Sequence, residues 1–188
     1  LGVFEQITLK LIPPPASRKA ILAVYNDLRK ASETVSSIIA NRIVPATLEI
    51  MDNVTIRAVE SHSGAGLPLD AEAMLLIEVD GHPAQVEEEA DKVEEICRRF
   101  DAARVRVAND EEERDRIWAA RRSALSALAK LKPTVVLEDA TVPRSKIPQM
   151  VRAIRETSRK FDLMIGTFGH AGDGNLHPTI LTDKRDKK

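Results

Sequence analysis

The densest group of chemically capable residues lies between positions 168 and 178. This stretch, Phe-Gly-His-Ala-Gly-Asp-Gly-Asn-Leu-His-Pro, holds three of the chain's eight glycines, two histidines, one carboxylate and one side-chain amide. Neutral imidazoles are good ligands for Zn²⁺ and other divalent first-row metals, and a carboxylate can complete such a site. The residue types therefore indicate a metal site at His170 and His177, with Asp173 or a distant residue as the third ligand.

The elements around this stretch predict a hairpin. The apolar run 163–168 is typical of a buried strand, apolar residues alternate again from Leu176, and the glycines between them suit a tight loop. Two strands joined in this way would bring His170 and His177 to the two ends of one loop. The pattern also fits a glycine-rich turn with no metal, because the histidine spacing matches no compact zinc motif and Asp and Asn often bond to their own backbone.

Arg121 is the second candidate, because it falls on the apolar face of a predicted helix. That face carries Ile117, Ala124, Leu128 and Leu131 at helical spacing. A guanidinium there needs an anionic partner or a route to water. A structural carboxylate such as Glu138 or Asp139 would be one partner. The carboxylate of a substrate, which arginine binds with two parallel hydrogen bonds, would be another.

Composition limits the remaining possibilities. The chain has 188 residues, 43% hydrophobic and 30% charged, which is enough for an ordinary folded core. A net charge of -1 provides no basic surface for nucleic acid, so we exclude that class of partner. The single cysteine, Cys97, lies on the apolar positions of a predicted helix and indicates a reducing compartment. We expect a cytoplasmic location, with peripheral attachment to the inner face of the membrane as the alternative.

Alternating strands and helices predict an α+β fold. Residues 3–12 alternate as a strand does, a helix is expected from Ile21, and 73–79 is the apolar run of a central strand. Asp52 or Asn53 is expected to cap the helix that follows it. Asp110 begins a long helix, with Glu113 placed as in a capping box. We predict a ferredoxin-like sandwich with a mixed or antiparallel sheet and helices on one face.

Two motifs carry a family resemblance. They are His-Ala-Gly-Asp-Gly-Asn-Leu-His at 170–177 and Glu-Asp-Ala-Thr-Val-Pro-Arg-Ser at 138–145. In type, order and separation they resemble the C-terminal domain of FAD-linked oxidases of the glycolate oxidase and D-lactate dehydrogenase type, in the vanillyl-alcohol oxidase superfamily. In that family another domain binds FAD, and this one caps the flavin and holds a 2-hydroxy acid. The resemblance implies that residues 1–188 are part of an FAD-dependent oxidoreductase, inactive without the FAD-binding domain and the end of the C-terminal domain.

The resemblance also implies roles for individual residues. The family's motif histidines, which are divalent-metal ligands in members that use one, correspond to His170 and His177, and we expect Zn²⁺ or Mn²⁺ there. The family's Trp-x-x-Arg is matched by Trp118 and Arg121, so Arg121 is expected to bind the substrate carboxylate. Asn175 is the expected cofactor contact. The catalytic base is expected downstream, so no catalytic residue is assigned within this chain.

Two departures from the family narrow the expected substrate. Relatives of the 2-hydroxyglutarate type carry a substrate-binding lysine where this chain has Leu137, and a hydroxyl residue where it has Leu125. We therefore expect a substrate with one carboxylate, such as D-lactate or glycolate. The other expected partners are the FAD-binding domain and an electron-transfer subunit. A stand-alone ferredoxin-like module that binds a metal or small molecule without redox chemistry is the alternative, and a purely structural domain is a third hypothesis.

Overall fold

The fold is built on an antiparallel sheet in the computed structural model, which describes residues 2–108 and 110–185. Its strands are β1 (Ser17–Tyr25), β2 (Thr47–Asp52), β3 (Ala73–Gly81), β4 (Arg104–Val107), β5 (Thr134–Leu137), β6 (Ala140–Thr141), β7 (Met164–His170) and β8 (Asn175–Thr182). Its α-helices are α1 (Leu28–Ala40), α2 (Asn53–Ser63), α3 (Pro83–Arg99), α4 (Glu111–Arg122), α5 (Ala124–Leu128) and α6 (Ile147–Phe161). Within the described ranges the strand order is β4-β1-β3-β2-β7-β8-β5, and β6 pairs with β8.

Helices cover both faces of this sheet. Along β1, Ile21, Ala23 and Tyr25 are buried in the core formed with α1, α3 and α6. Val24 is buried in the opposite core, formed with α2, α4 and α5. The predicted α+β fold with an antiparallel sheet is confirmed. The expected placement of the helices on one face is wrong, since helices pack on both faces. The central strands are apolar on both sides, and burial of each side by helices removes that apolar surface from water.

The first elements of the fold differ from the sequence prediction. Residues 3–12, predicted as a strand, form neither helix nor strand and are exposed. Ile21 lies in β1 rather than at the start of a helix. Helix α1 begins at Leu28. Asp27 is its N-cap, and the Asp27 side chain accepts a hydrogen bond from the backbone N–H of Arg29. Because both faces of β1 are buried, its apolar residues do not alternate with polar ones, and the period expected of a strand is lost.

Two predicted helix starts are confirmed by their caps. Asp52 Oδ1 accepts a hydrogen bond from the backbone N–H of Thr55 at 2.9 Å, and Asp110 Oδ1 accepts one from that of Glu113 at 2.7 Å. A cap of this kind stabilises a helix by about 1 kcal/mol. The long helix predicted after Asp110 is divided at Ser123 into α4 and α5.

Candidate functional site

The glycine-rich motif forms the β7–β8 hairpin. The strand register pairs Phe168 with His177 and His170 with Asn175. Backbone hydrogen bonds close the loop 171–174 between the two strands. The predicted hairpin is thus confirmed, and it places both histidines near the loop that joins the two strands.

Two glycines of the motif are required by the geometry of this hairpin. A Cβ on Gly169 would lie 2.5 Å from the carbonyl oxygen of Asn175 on the facing strand. Gly174 has φ +78°, and a Cβ there would overlap the carbonyl oxygen of Val142. The backbone N–H of Val142 also donates to the carbonyl of Gly174 at 3.0 Å. The loop is therefore fixed against the 138–145 motif, and the two sequence motifs form one structural unit.

The imidazoles of His170 and His177 lie side by side. Their ring centroids are 5.3 Å apart and their planes are nearly perpendicular, at 89°. The ring of Phe168 contacts that of His177, also with 5.3 Å between centroids. The His177 side chain is 15% exposed and that of His170 is 51% exposed, so the pair is open to a ligand from the His170 side.

Each imidazole has a carboxylate beside its Nδ1 atom. Glu49 Oε1 lies 2.5 Å from His170 Nδ1, and Asp139 Oδ1 lies 2.7 Å from His177 Nδ1. The second pair is within ion-pair distance but lacks hydrogen-bond geometry, so within the described residues the buried Nδ1 of His177 has no hydrogen-bond partner. Neither Nε2 atom takes part in a hydrogen bond in the described part of the chain. The Nε2 atoms are thus the ones available to a ligand.

A complete metal site is not formed by these residues alone. In residues 2–108 and 110–185, no group of three or more His, Cys, Asp or Glu side chains is arranged to hold a metal ion. Asp173, considered above as a third ligand, is not brought into such a group, although it lines a cavity of about 170 Å³ together with His170. The geometry provides two imidazoles, and any further ligand must come from elsewhere.

Arg121 is buried, at 8% exposure, and its structural partner is Glu49. Nε and Nη2 donate to Glu49 Oε2 at 3.0 Å and 2.6 Å, respectively. The guanidinium carbon also lies 4.8 Å from the centre of the Phe168 ring, a cation–π distance. The structural carboxylates suggested by the sequence, Glu138 and Asp139, do not fill this role, and Asp139 faces His177 instead. Arg121 therefore lies in the same cluster as the two histidines.

Glu49 connects the two halves of this cluster and was missed in the sequence. It lies in the middle of β2 and is 4% exposed. One carboxylate oxygen accepts from Arg121 and the other contacts His170, which is its cross-strand neighbour in β7. A single acid within the apolar run 48–51 was the available signal, because a buried carboxylate needs charged or hydrogen-bonding partners.

Helix α4 is attached to the sheet through both ends of its Trp-x-x-Arg motif. The indole Nε1 of Trp118 donates to Glu78 Oε2 at 2.8 Å, one turn before Arg121 reaches Glu49. Glu78 and Glu49 lie on the adjacent strands β3 and β2. Two sheet carboxylates thus fix the rotation of α4 and the position of the Arg121 side chain.

Asn175, the expected cofactor contact, carries an unused acceptor. Its side chain is partly buried opposite His170, and its Oδ1 atom is buried without a hydrogen-bond partner in the described residues. A buried amide oxygen without a partner is costly, and such an atom marks a place where a ligand donor would be stabilising.

Asp52, at the end of β2, also stabilises the adjacent strand β7. Besides capping α2, its Oδ2 accepts a hydrogen bond from the backbone N–H of Thr167 at 2.7 Å. Burial raises the pKa of Asp52 to about 6, and the N–H donors of Thr55 and Thr167 oppose that rise. This carboxyl group therefore holds β7 in place two residues before the hairpin's Gly169.

The chain belongs to the family described as FAD linked oxidases, C-terminal domain, which it matches over residues 14–188. The hairpin motif, the 138–145 motif and the Trp-x-x-Arg helix all fall within this match.

Among curated relatives, the glycolate oxidase subunit GlcD of Bacillus subtilis (strain 168) is 52% identical over 187 residues, covering 100% of this chain and 40% of the relative. GlcD of Escherichia coli (strain K12) is 42% identical, covering 99% of this chain and 37% of the relative. The D-lactate dehydrogenase of Anaerostipes hadrus is 31% identical, covering 94% and 39%. The chain thus spans about 40% of the length of the first of these relatives.

Solved structures with the same fold include an alkyldihydroxyacetonephosphate synthase, with a TM-score of 0.64 at 13% identity, covering 91% of this chain and 37% of that one. A p-cresol methylhydroxylase with substrate bound has a TM-score of 0.62 at 11% identity, covering 93% and 40%. At these identities the likeness concerns the fold alone. No helix in the described ranges is long and apolar enough to cross a membrane.

Proposed function

We propose that this chain is the substrate-binding cap of an FAD-dependent 2-hydroxy acid dehydrogenase of the glycolate or D-lactate type. The observation that carries the proposal is the single cluster formed by Arg121, His170 and His177. It combines a buried cation for a carboxylate with two imidazoles for a metal, in a family of FAD-linked oxidases. The comparisons do not support a stand-alone module that binds a ligand without redox chemistry.

Arg121 is the residue we assign to the substrate carboxylate. Its Nε and one Nη2 hydrogen are used by Glu49, and in the described part of the chain Nη1 makes no hydrogen bond. The free edge of the guanidinium can therefore donate hydrogen bonds to a second carboxylate, while one face of the guanidinium packs on the Phe168 ring. When bound, FAD supplies the hydride acceptor for the substrate's α-carbon.

The donor set around the two histidines fits a partial metal site. Metal-binding imidazoles commonly direct their second nitrogen at a carboxylate, as His170 does toward Glu49, and His177 has Asp139 close to the equivalent atom. The two Nε2 atoms would be ligands for Zn²⁺ or Mn²⁺, and the usual three-ligand set requires one more donor from another part of the protein. A metal held there would polarise the substrate hydroxyl and make it more acidic.

The substrate class we propose rests on two apolar positions, Leu125 and Leu137, where the resemblance places substrate-binding polar residues in relatives of the 2-hydroxyglutarate type. Leu125 and Leu137 are 39% and 42% exposed, so an additional carboxylate at either position would meet hydrocarbon in place of a cation or hydroxyl. This supports a small hydroxy acid with one carboxylate. Asn175 Oδ1 is the group we assign to a cofactor or substrate donor.

The partners we propose are an FAD-binding domain and an electron-transfer subunit. Exposed apolar side chains near the β5 edge, including those of Leu137 and Met164, provide area for packing against another domain. We propose a cytoplasmic location, which fractionation of cells and immunoblotting of the soluble and membrane fractions would test.

The proposed activity is tested on the full-length protein that contains this domain. The purified protein is mixed anaerobically with D-lactate, glycolate or D-2-hydroxyglutarate, and flavin absorbance is followed with and without a chelator. We expect bleaching by a hydroxy acid with one carboxylate, slowed by the chelator. Failure of all three acids to reduce the flavin, or preference for the dicarboxylate, would refute the assignment.

A further inference from the structure

We propose that Glu49 is a positioning residue that sets both the guanidinium of Arg121 and the tautomer of His170. This inference rests on the proposed function, since it concerns how the proposed carboxylate and metal ligands are prepared for their partners. In this role Glu49 acts through Arg121 and His170 and does not itself bind the substrate.

The backbone fixes Glu49 between its two partners. Strands β2 and β7 pair in a register that places Glu49 opposite His170, while α4 brings Arg121 onto the same carboxylate. The loop of the hairpin is held to the same strand, since the Gly172 N–H donates to the carbonyl of Leu48 at 3.0 Å. Glu49 therefore sits on a rigid element whose position relative to the hairpin is set by main-chain bonds.

The carboxylate determines where the His170 proton lies. A carboxylate accepts hydrogen bonds and donates none, so the 2.5 Å contact requires a hydrogen on Nδ1 of His170. In the neutral ring that leaves Nε2 with its lone pair, which is the form needed to bind a metal. Glu49 thus prepares the nitrogen that the proposed metal would use.

The same carboxylate determines which edge of Arg121 is free. Because Nε and Nη2 both donate to Oε2, the guanidinium plane is fixed and its Nη1 edge is left for an incoming carboxylate. Glu49 also balances the arginine's charge, so the buried cation is tolerated before any substrate arrives.

The decisive variant is Glu49→Gln, because an amide has one acceptor and one donor end. Arginine has only donors, so the amide oxygen must face Arg121 and the amide NH₂ must face His170. Nδ1 then has to accept a hydrogen bond, and the ring proton moves to Nε2. The substitution keeps the size of the side chain and reverses the tautomer.

The test measures the tautomer directly in the full-length protein. Nitrogen-15 spectra of histidine-labelled, metal-free protein report which ring nitrogen carries the proton, and the His170→Ala variant assigns the signal. We expect an Nδ1–H form of His170 in the parent and in Glu49→Asp, and an Nε2–H form in Glu49→Gln. Calorimetric titration should then give Zn²⁺ binding about 10- to 100-fold weaker in Glu49→Gln.

Glu113→Gln is the matched control. Glu113 is also a buried glutamate, 5% exposed, and also pairs with an arginine, Arg106, but it lies two turns before Arg121 on α4. We expect it to leave the His170 tautomer, the Zn²⁺ affinity and KM unchanged, whereas Glu49→Gln raises KM for the hydroxy acid.

The inference is overturned if His170 has the same tautomer in the parent and in Glu49→Gln, or if Glu113→Gln weakens Zn²⁺ binding equally. If Glu49→Gln fails to fold, the parent protein still provides a test, because an Nε2–H form of His170 there would contradict the contact between Nδ1 and the Glu49 carboxylate. The proposed function fails separately, if no hydroxy acid reduces the flavin in the parent protein.

Discussion

Replacing Arg121 by Met would test whether the buried arginine serves the substrate, the fold or both. Met retains an unbranched apolar stem of similar length, so packing against Phe168 is largely kept while the charge is removed. The change leaves Glu49 buried at 4% exposure, with His170 as its remaining partner. We expect both stability and substrate affinity to fall, for separable reasons.

The two magnitudes can be worked from these contacts. Removing one member of a buried ion pair typically costs about 3–5 kcal/mol, and the His170 contact favours the lower end for Arg121→Met. At about 2–4 °C per kcal/mol for a domain of this size, the unfolding transition of this domain should move down by roughly 6–12 °C. Loss of the charge-assisted bonds to the substrate costs about 1.5–3 kcal/mol, which is roughly a 10- to 150-fold loss of affinity.

The assay compares Arg121→Met with the double variant Arg121→Met/Glu49→Gln in the full-length protein. The double variant no longer buries an unpaired carboxylate, so thermal unfolding should occur at a higher temperature than in Arg121→Met. Substrate affinity should remain low in both. An Arg121→Met protein with unchanged melting temperature would contradict the buried-pair argument, and one with unchanged KM would remove Arg121 from the substrate site.

Three further predictions concern the support of the site. Between pH 4 and 6 the folded state binds more protons at Asp52 than the unfolded state does, because burial raises its pKa to about 6. The free energy of unfolding contributed by this group should therefore fall by about 3 kcal/mol as pH rises through that range, and denaturation of Asp52→Asn should lack this slope. Gly174→Ala should lower the melting temperature more than Gly64→Ala, since both have positive φ but only the first would meet another backbone. In calorimetric titrations of the full-length protein, His170→Ala and His177→Ala should each abolish Zn²⁺ binding, and binding equal to the parent in either variant would exclude that histidine as a ligand.

The hairpin was predictable because its information is local. Strand, glycine loop and second strand follow one another within one short stretch, and the register that joins His170 to Asn175 is set by that loop. The caps at Asp52 and Asp110 are local in the same sense, and both were found where the sequence placed them. Short-range patterns therefore located the two histidines and the helix that carries Arg121.

The partner of Arg121 was not predictable in this way. Glu49 lies 72 positions from Arg121 and 121 positions from His170 in sequence. The contacts exist only because β2 pairs with β7. The sequences of the individual strands do not predict which strands will be neighbours in an antiparallel sheet. The limits of β1 were missed for a related reason, since burial of both its faces by α1, α3 and α2 removed the alternation that identifies a strand.

The charges of the cluster link the proposed metal to substrate binding. Arg121 and Glu49 form a buried pair whose formal charges cancel, so a substrate carboxylate adds a negative charge that this pair does not balance. A divalent cation at His170 and His177 would supply the missing positive charge close by. Without the metal, the negative charge of Glu49 would repel the substrate carboxylate, and the loss of hydration of that carboxylate would also oppose binding.

We therefore expect removal of the metal to weaken binding of the substrate itself as well as turnover. The measurement is a titration of chelator-treated, oxidised full-length protein with a non-oxidisable carboxylic acid analogue, followed by flavin absorbance, before and after Zn²⁺ or Mn²⁺ is restored. Analogue binding that is equally strong with and without metal in the parent protein would show that Arg121 suffices, and that the two histidines serve another purpose.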